Sequence, residues 1–310
     1  MKKKLFTCAV LVAALFFTAC HTTPVVNNQM KNPPKHVFLI AFDGLSSYSI
    51  NHNAEMPTFR SLMADGSYTT ENRTVLPSSS AANWASMYCG VGPELHGYNT
   101  CCDEKPSFPP RELNEHGVFP DIFYQIRLKH PEAETAHFYE WGGMYFLADK
   151  EAINRVEQVG LSGDDTDGSV KPVVEYIKEK KPDFCAVIFA EPDGSGHGYG
   201  WKSKEYFAKL THLDKALKKL VDAIDEAGIR DESVIILAAD HGGIETSHGG
   251  ITMDEMQTTI VFNGKGIKKG FQLPESTMVY DIASTIGYMF GIDQPQVWIG
   301  RPVKSIFTQE

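Results

Sequence analysis

Apolar residues along this chain come in two rhythms. Short continuous runs bounded by turn residues cover positions 36–42, 135–138, 184–190, 234–239 and 259–262. Runs of that length read as strands buried on both faces. Between them, helical spacing covers 56–64, a segment opening near Ser80, then 120–128, 170–178, 204–227 and 280–290. In the long segment, Leu210, Leu213, Leu217, Leu220 and Ile224 recur at three- and four-residue steps, the stripe an amphipathic helix turns toward a core. The alternation predicts an α/β fold with a mainly parallel central sheet flanked by helices on both faces, its ligands at the carboxyl ends of the strands. With no internal repeat and no linker inside it, the stretch 35–310 reads as one domain.

The N-terminal end follows another pattern. Lys2-Lys3-Lys4 and the apolar run 5–17 form the charged and hydrophobic parts of an export signal over residues 1–19. The run is shorter than the roughly 20 apolar residues a membrane span requires. Phe17-Thr18-Ala19-Cys20 resembles a bacterial lipobox, with Phe17 where Leu is usual. Cleavage before Cys20 and lipidation of its thiol would anchor the protein to a membrane of the cell envelope as an exported lipoprotein. An ordinary signal peptide with a chance cysteine is the alternative. Residues 20–34, rich in Asn, Thr and Pro, read as a tether.

Composition narrows the partners. Losing Lys2, Lys3 and Lys4 with the signal takes the formal charge from −10 to −13. That argues against a groove for duplex nucleic acid. A small anionic substrate stays admissible, because bound divalent ions would reverse the sign locally. Cys89, Cys101, Cys102 and Cys185 form no CxxC pair, which disfavours a structural zinc cluster. Export would permit a disulfide, with Cys89 to Cys101 or Cys102 among the possibilities.

Three apolar runs empty into carboxylates: Asp43-Gly44, Glu191-Pro192-Asp193 and Asp240-His241. Each is an ordinary turn when taken singly. Together they would line one rim of the sheet. His197 follows Asp193 across two glycines and could join it on one ion. Asp240 and His241 would point to opposite faces of a regular strand, so they can converge only if the strand ends there, as Gly242-Gly243 permits. His248 lies shortly beyond. Six carboxylate and imidazole ligands suffice for two metal ions, and histidine-rich ligation suits zinc. Within Ser78-Ser79-Ser80, a serine just before helical sequence could be a nucleophile at a helix N-terminus or simply an N-cap. Trp141 could stack on a base or sugar, or wedge into the core.

In order along the chain, Ala41-Phe42-Asp43-Gly44, Ser80 with Asn83, Pro93-Glu94-Leu95-His96-Gly97, Glu191-Pro192-Asp193 with Gly196-His197, Ala239-Asp240-His241-Gly242 and His248-Gly249 resemble the alkaline-phosphatase superfamily, in particular its type I phosphodiesterase/nucleotide pyrophosphatase branch. The resemblance runs from about 36 to 305. It implies that Asp193, His197 and His248 bind one zinc and Asp43, Asp240 and His241 the other. It also implies that Ser80 becomes transiently phosphorylated and that Asn83 helps hold a phosphoryl oxygen. The spacing from Ser80 to Gly90 matches the family and selects Ser80 over its neighbours.

Departures bear on substrate. The diesterase branch generally has Thr as nucleophile, a pair ending in Pro, then Asn and His; this chain has Ser80-Ala81-Ala82-Asn83-Trp84. Serine and two alanines lean toward phosphomonoesterases. Ala82 and Trp84 stand where a sulfatase needs Pro and Arg, which disfavours that branch. The leading expectation is a two-zinc hydrolase of phosphodiesters or nucleotide pyrophosphate bonds. A phosphomonoesterase is the rival, and an inactive lipid-anchored binding protein is the alternative from another class.

Overall fold

The run that opens the domain, His36–Asp43, forms β1 at the middle of an eight-stranded sheet. In this computed structural model residues 30–308 are described, apart from 53 and 100–103. The signal, the lipobox Cys20 and the Cys101-Cys102 pair lie outside the described residues. The remaining strands are β2 Ser67–Arg73, β3 Thr135–Tyr139, β4 Arg155–Gln158, β5 Phe184–Pro192, β6 Ser233–Ala239, β7 Gln257–Gly264 and β8 Phe271–Gln272, in the order β4-β3-β5-β1-β6-β7-β2-β8. β7 runs antiparallel to both β6 and β2, and the other pairings are parallel. The sheet is therefore mainly parallel, with one reversed strand.

The helices are α1 Ser47–Asn51, α2 Pro57–Ala64, α3 Ser80–Cys89, α4 Pro93–His96, α5 Ile122–Lys129, α6 Met144–Leu147, α7 Thr166–Lys180, α8 Asp193–Tyr199, α9 Lys204–Glu226, α10 Met253–Met256 and α11 Asp281–Met289. They cover both faces because side chains alternate along a strand. Val37, Leu39 and Ala41 point to a core layer shared with α3, α5 and α11. Phe38, Ile40 and Phe42 point to a second layer shared with α2, α7 and α9. Leu210, Leu213, Leu217, Leu220 and Ile224 are fully buried in that second layer. Each such side chain contributes about 1.5–3 kcal/mol, an upper figure for a chain already partly collapsed when unfolded.

The strands at 67–73, 155–158 and 271–272 carry no continuous apolar run. β2 reads Ser-Tyr-Thr-Thr-Glu-Asn-Arg and β4 is half exposed, so both are sheet members by pairing rather than by burial. Cys89 and Cys185 are buried free thiols. Trp141 is partly buried and packs against the first core layer.

Register brings the sheet's carboxyl ends to one rim. Ala41 pairs with Ala238 and Phe42 with Ala239, so Asp43 and Asp240 leave the sheet side by side. On the other flank a register shift puts Asp43 opposite Pro192, directly before Asp193. Gly44 is obligatory in this turn: its φ is +73°, and a Cβ there would lie 2.8 Å from the Asp193 Cα.

One buried carboxylate away from this rim ties the second layer together. Asp214, on α9, accepts from the amides of Thr58 (2.9 Å) and Phe59 (2.8 Å) at the start of α2, whose own N-cap Met56 has no capping side chain. Asp214→Ala should destabilise the fold by about 2–3 kcal/mol, since charge-assisted bonds to otherwise orphaned amides are lost. Denaturant unfolding should show a lower midpoint at unchanged slope; an unshifted midpoint would contradict this capping role.

Candidate functional site

β6 ends at Ala239, so Asp240 and His241 are free of strand alternation and converge. One ligand-capable atom each from Asp43, Asp240 and His241 lies within 4.8 Å of the others, and the same holds for Asp193, His197 and His248. In the first group, His241 Nε2 is 3.4 Å from Asp43 Oδ1 and 3.3 Å from Asp240 Oδ2. In the second, Asp193 Oδ2 is 3.4 Å from His197 Nε2, and Asp193 Oδ1 is 3.7 Å from His248 Nε2. The segment 193–199, which opens on a sequence that taken singly reads as a turn, is the short helix α8. It sets Asp193 and His197 one turn apart on one face. The rings of His241 and His248 stack at 3.9 Å with an interplanar angle of 19°, so the groups adjoin.

Hydrogen bonds, mostly to backbone groups, orient five of these six side chains. His197 Nδ1 meets the Thr246 carbonyl at 2.9 Å, His241 Nδ1 that of Gly242 at 2.8 Å, and His248 Nδ1 that of Ser78 at 3.1 Å. A carbonyl only accepts, so each Nδ1 carries the proton and each Nε2 lone pair faces the site. Two of the three carboxylates, Asp43 and Asp240, are held similarly, by one oxygen each. Trp84 Nε1 donates to Asp43 Oδ2 (3.2 Å), and the amides of Gly44 and His241 donate to Asp240 Oδ1 (3.1 and 2.9 Å). Asp43 Oδ1, Asp240 Oδ2 and Asp193 Oδ1 are buried and have no hydrogen-bond partner. Three orphaned carboxylate oxygens facing three imidazole lone pairs fit divalent cations.

Electrostatics point the same way. Burial, then the charges of Asp240 and Asp193, push Asp43 well above the usual carboxylate range. Burial and the Asp193 charge do the same to Asp240. Burial, then the neighbouring His248, hold His241 well below the usual imidazole range. A folded chain that keeps carboxyl protons its unfolded form releases loses stability as pH rises toward those raised values. His241 works oppositely: it stays neutral where the unfolded imidazole charges, so stability falls as pH drops below its ordinary value.

Ser80 opens α3 beside this array. It is nearly buried, and its Oγ lies 3.1 Å from His241 Nε2. Ser79 is the N-cap, without a side-chain capping bond, and Ser78 Oγ donates to the Gly250 carbonyl (2.7 Å). Ser80 is thus the member of the serine run that meets the six-residue cluster. Asn83, in the first turn of α3, turns its carboxamide toward the preceding loop. Fully buried, it accepts from the Val75 amide (2.7 Å) and donates to the Pro77 (3.1 Å) and Ser79 (3.0 Å) carbonyls, which clamps the 75–79 loop ahead of Ser80. Sequence reasoning passed over two supports of the site, the Trp84 donor and Glu255. Glu255 accepts from the amides of Gly250 (2.7 Å) and Thr252 (3.1 Å) in the loop carrying His248. The Thr252–Glu255 capping-box spacing was a legible signal for the latter.

A family profile described as type I phosphodiesterase/nucleotide pyrophosphatase matches residues 37–279. This chain belongs to that family. Its mouse relative, ectonucleotide pyrophosphatase/phosphodiesterase family member 1, is 25% identical over 233 residues, covering 71% of this chain and 25% of that protein. The chain thus matches about a quarter of that relative's length. Among solved structures, a murine ectonucleotide pyrophosphatase/phosphodiesterase 5 in complex with AMP has a TM-score of 0.69 at 13% identity, covering 84% of this chain and 96% of that one. A 2-O GAG sulfatase has a TM-score of 0.72 at 14% identity, covering 90% and 75%. These two likenesses establish the fold, which is alkaline-phosphatase-like.

Asn83→Ala should lower stability by about 2–4 kcal/mol, because the buried Val75 amide and two carbonyls lose their partner. Thermal unfolding of the metal-free variant measures this. A variant as stable as the parent but poor in turnover would return Asn83 to a role on the substrate.

Proposed function

We propose that this chain is a metal-dependent phosphoric ester hydrolase of the phosphodiesterase/nucleotide pyrophosphatase type, with Ser80 as its nucleophile. The observation that carries the reading is Ser80 Oγ at 3.1 Å from His241 Nε2, beside two three-residue groups whose three carboxylates each keep one unpartnered oxygen. Asp193, His197 and His248 would hold one ion, and Asp43, Asp240 and His241 the other. Three imidazoles among six ligands favour zinc over magnesium or calcium. Two such ions, when bound, supply Lewis acidity and neutralise charge on the phosphoryl oxygens.

The chain's own residues do the rest. Ser80 Oγ attacks phosphorus, an O–P bond forms at Ser80, and the bond from phosphorus to the leaving oxygen breaks. Water then displaces Ser80 and releases a phosphomonoester from a diester. The first amides of α3 have no intrahelical acceptor and, with the helix dipole, favour the anionic group being transferred. The Nδ1 protons stay on their carbonyl acceptors throughout, so the imidazoles keep their orientation.

Family membership favours diesters or nucleotide pyrophosphate bonds. The helix behind the nucleophile agrees, since residues 81–89 offer no Lys or Arg. A monoester carries one more negative charge on its transferred group and profits from a fixed cation there. The specific observation favouring a phosphomonoesterase is Ser80-Ala81-Ala82 in place of the diesterase pattern, and Asn83 at the fourth position pulls the other way.

The purified, zinc-loaded protein should hydrolyse bis-p-nitrophenyl phosphate at least as fast as p-nitrophenyl phosphate. Ser80→Ala should abolish turnover while leaving metal content and fold intact, since only the attacking oxygen is lost. Full activity in Ser80→Ala, or loss in Ser79→Ala instead, would overturn the nucleophile. A strong preference for the monoester would transfer the reading to the phosphatase rival.

A further inference from the structure

The two three-residue groups come from separate segments: the β1 turn, helix α8 and the long loop after β6. One side chain outside both groups touches all three. Trp201 follows α8 and is buried, with 6% of its surface exposed. Its indole Nε1 donates to the Gly44 carbonyl at 2.9 Å, one residue past Asp43. Its backbone amide donates to the Glu245 carbonyl at 2.7 Å, in the loop that runs from His241 to His248. The ring stands edge-on to His197, with centroids 5.3 Å apart at 82°, and lies 6.1 Å from His248 at 68°.

Packing against the ring is closer still. A Cβ built at Gly196, the neighbour of His197, would fall 2.6 Å from the indole, and one at Gly243, two residues past His241, would fall 2.2 Å from it. Both backbones therefore approach the ring too closely for a side chain to fit without a shift. The contact also coincides with backbone tension. Lys202, next to Trp201, and Glu245, its backbone partner, have φ of +73° and +54°. Non-glycine residues hold that conformation only where their surroundings impose it.

We propose that Trp201 is a positioning residue that fixes the two groups relative to each other, through its hydrogen bond beside Asp43 and its ring contacts with His197, His248, Gly196 and Gly243. The inference rests on the reading of those groups as metal sites. Only a wide flat ring with a donor on its edge meets these contacts at once. Phe lacks the donor and one of the two fused rings. Tyr206 Oη also donates to the Gly44 carbonyl, at 3.0 Å, so that acceptor stays satisfied in a Trp201→Phe variant. The change then isolates alignment rather than an unpaired carbonyl.

The test is zinc affinity of the full protein, stripped with a chelator and titrated with Zn²⁺ against a competing chromophoric chelator. Trp201→Phe should bind zinc about 10–100-fold more weakly than the parent, the usual effect of losing a group that orients metal ligands. Trp298→Phe is the control for losing a buried indole, because Trp298 donates to the Pro120 carbonyl and packs on Gly90, at the far end of α3. It should keep parental zinc affinity even where it lowers thermal stability. Gly243→Ala keeps Trp201 but pushes a methyl into the ring; its φ lies outside the left-handed range, so alanine is tolerated by the backbone. It should reproduce the zinc defect even if Trp201→Phe does not fold. Zinc affinity within threefold of the parent in either folded variant, Trp201→Phe or Gly243→Ala, would reduce Trp201 to core packing and overturn the inference. A parent protein that binds no zinc would remove the metal reading itself, and the inference with it.

Discussion

Three carboxylates crowd the rim where β1, β5 and β6 end, and the rest of the site is arranged around them. Register brings Asp43 beside Asp240 on one flank and opposite Pro192, just before Asp193, on the other. Asp43 and Asp240 are almost fully buried. Burial pushes both carboxyls up, helped by the charges of Asp240 and Asp193 at Asp43 and by that of Asp193 at Asp240. Burying like charges costs several kcal/mol per ion unless something compensates. Backbone amides and the Trp84 indole satisfy one oxygen each on Asp240 and Asp43, and the other oxygens remain without a protein donor. Fold stability and chemistry therefore meet in one requirement, a positive charge between those oxygens.

The imidazoles answer the same constraint. Each spends its Nδ1 proton on a backbone carbonyl, which leaves Nε2 as a lone-pair donor toward the carboxylates. The carbonyl that fixes His248 belongs to Ser78, two residues before Ser80, so the Ser80 loop and a candidate ligand hold each other in place. α3 extends this link: Ser80 begins it, and Trp84, one turn on, donates to Asp43. Movement of α3 would disturb Asp43, and movement of the His248 loop would disturb the segment leading into Ser80.

Much of this was legible in the sequence, for a physical reason. Central parallel strands are buried on both faces, so β1, β5 and β6 appear as continuous apolar runs, and the polar residues that end them stand out. The six candidate ligands and Ser80 were found by that contrast and by family resemblance. Outlying strands escape it, because β4 at one edge of the sheet and β2, next to the two-residue β8, owe their place to pairing with neighbours and carry polar sequence. The reversed β7 is nearly as buried as a central parallel strand, and burial says nothing of direction. Asn83's position in the motif indicates proximity to Ser80, whereas the direction of its carboxamide, here toward the 75–79 loop, depends on how that loop folds back. Trp201 was invisible for a similar reason. Its partners Gly44, Gly196 and Gly243 come from three segments, and only the fold brings them to one ring.

The central claim is that the carboxylate crowding is resolved by two cations at defined positions. Diffraction from zinc-grown crystals, with anomalous difference maps calculated above and below the zinc edge, tests it directly. The account predicts two zinc peaks roughly 3.5–4 Å apart, the spacing of two-metal sites, one bounded by Asp43, Asp240 and His241 and the other by Asp193, His197 and His248. A single peak, or peaks away from these six side chains with Asp43 Oδ1 and Asp240 Oδ2 facing no cation, would contradict it.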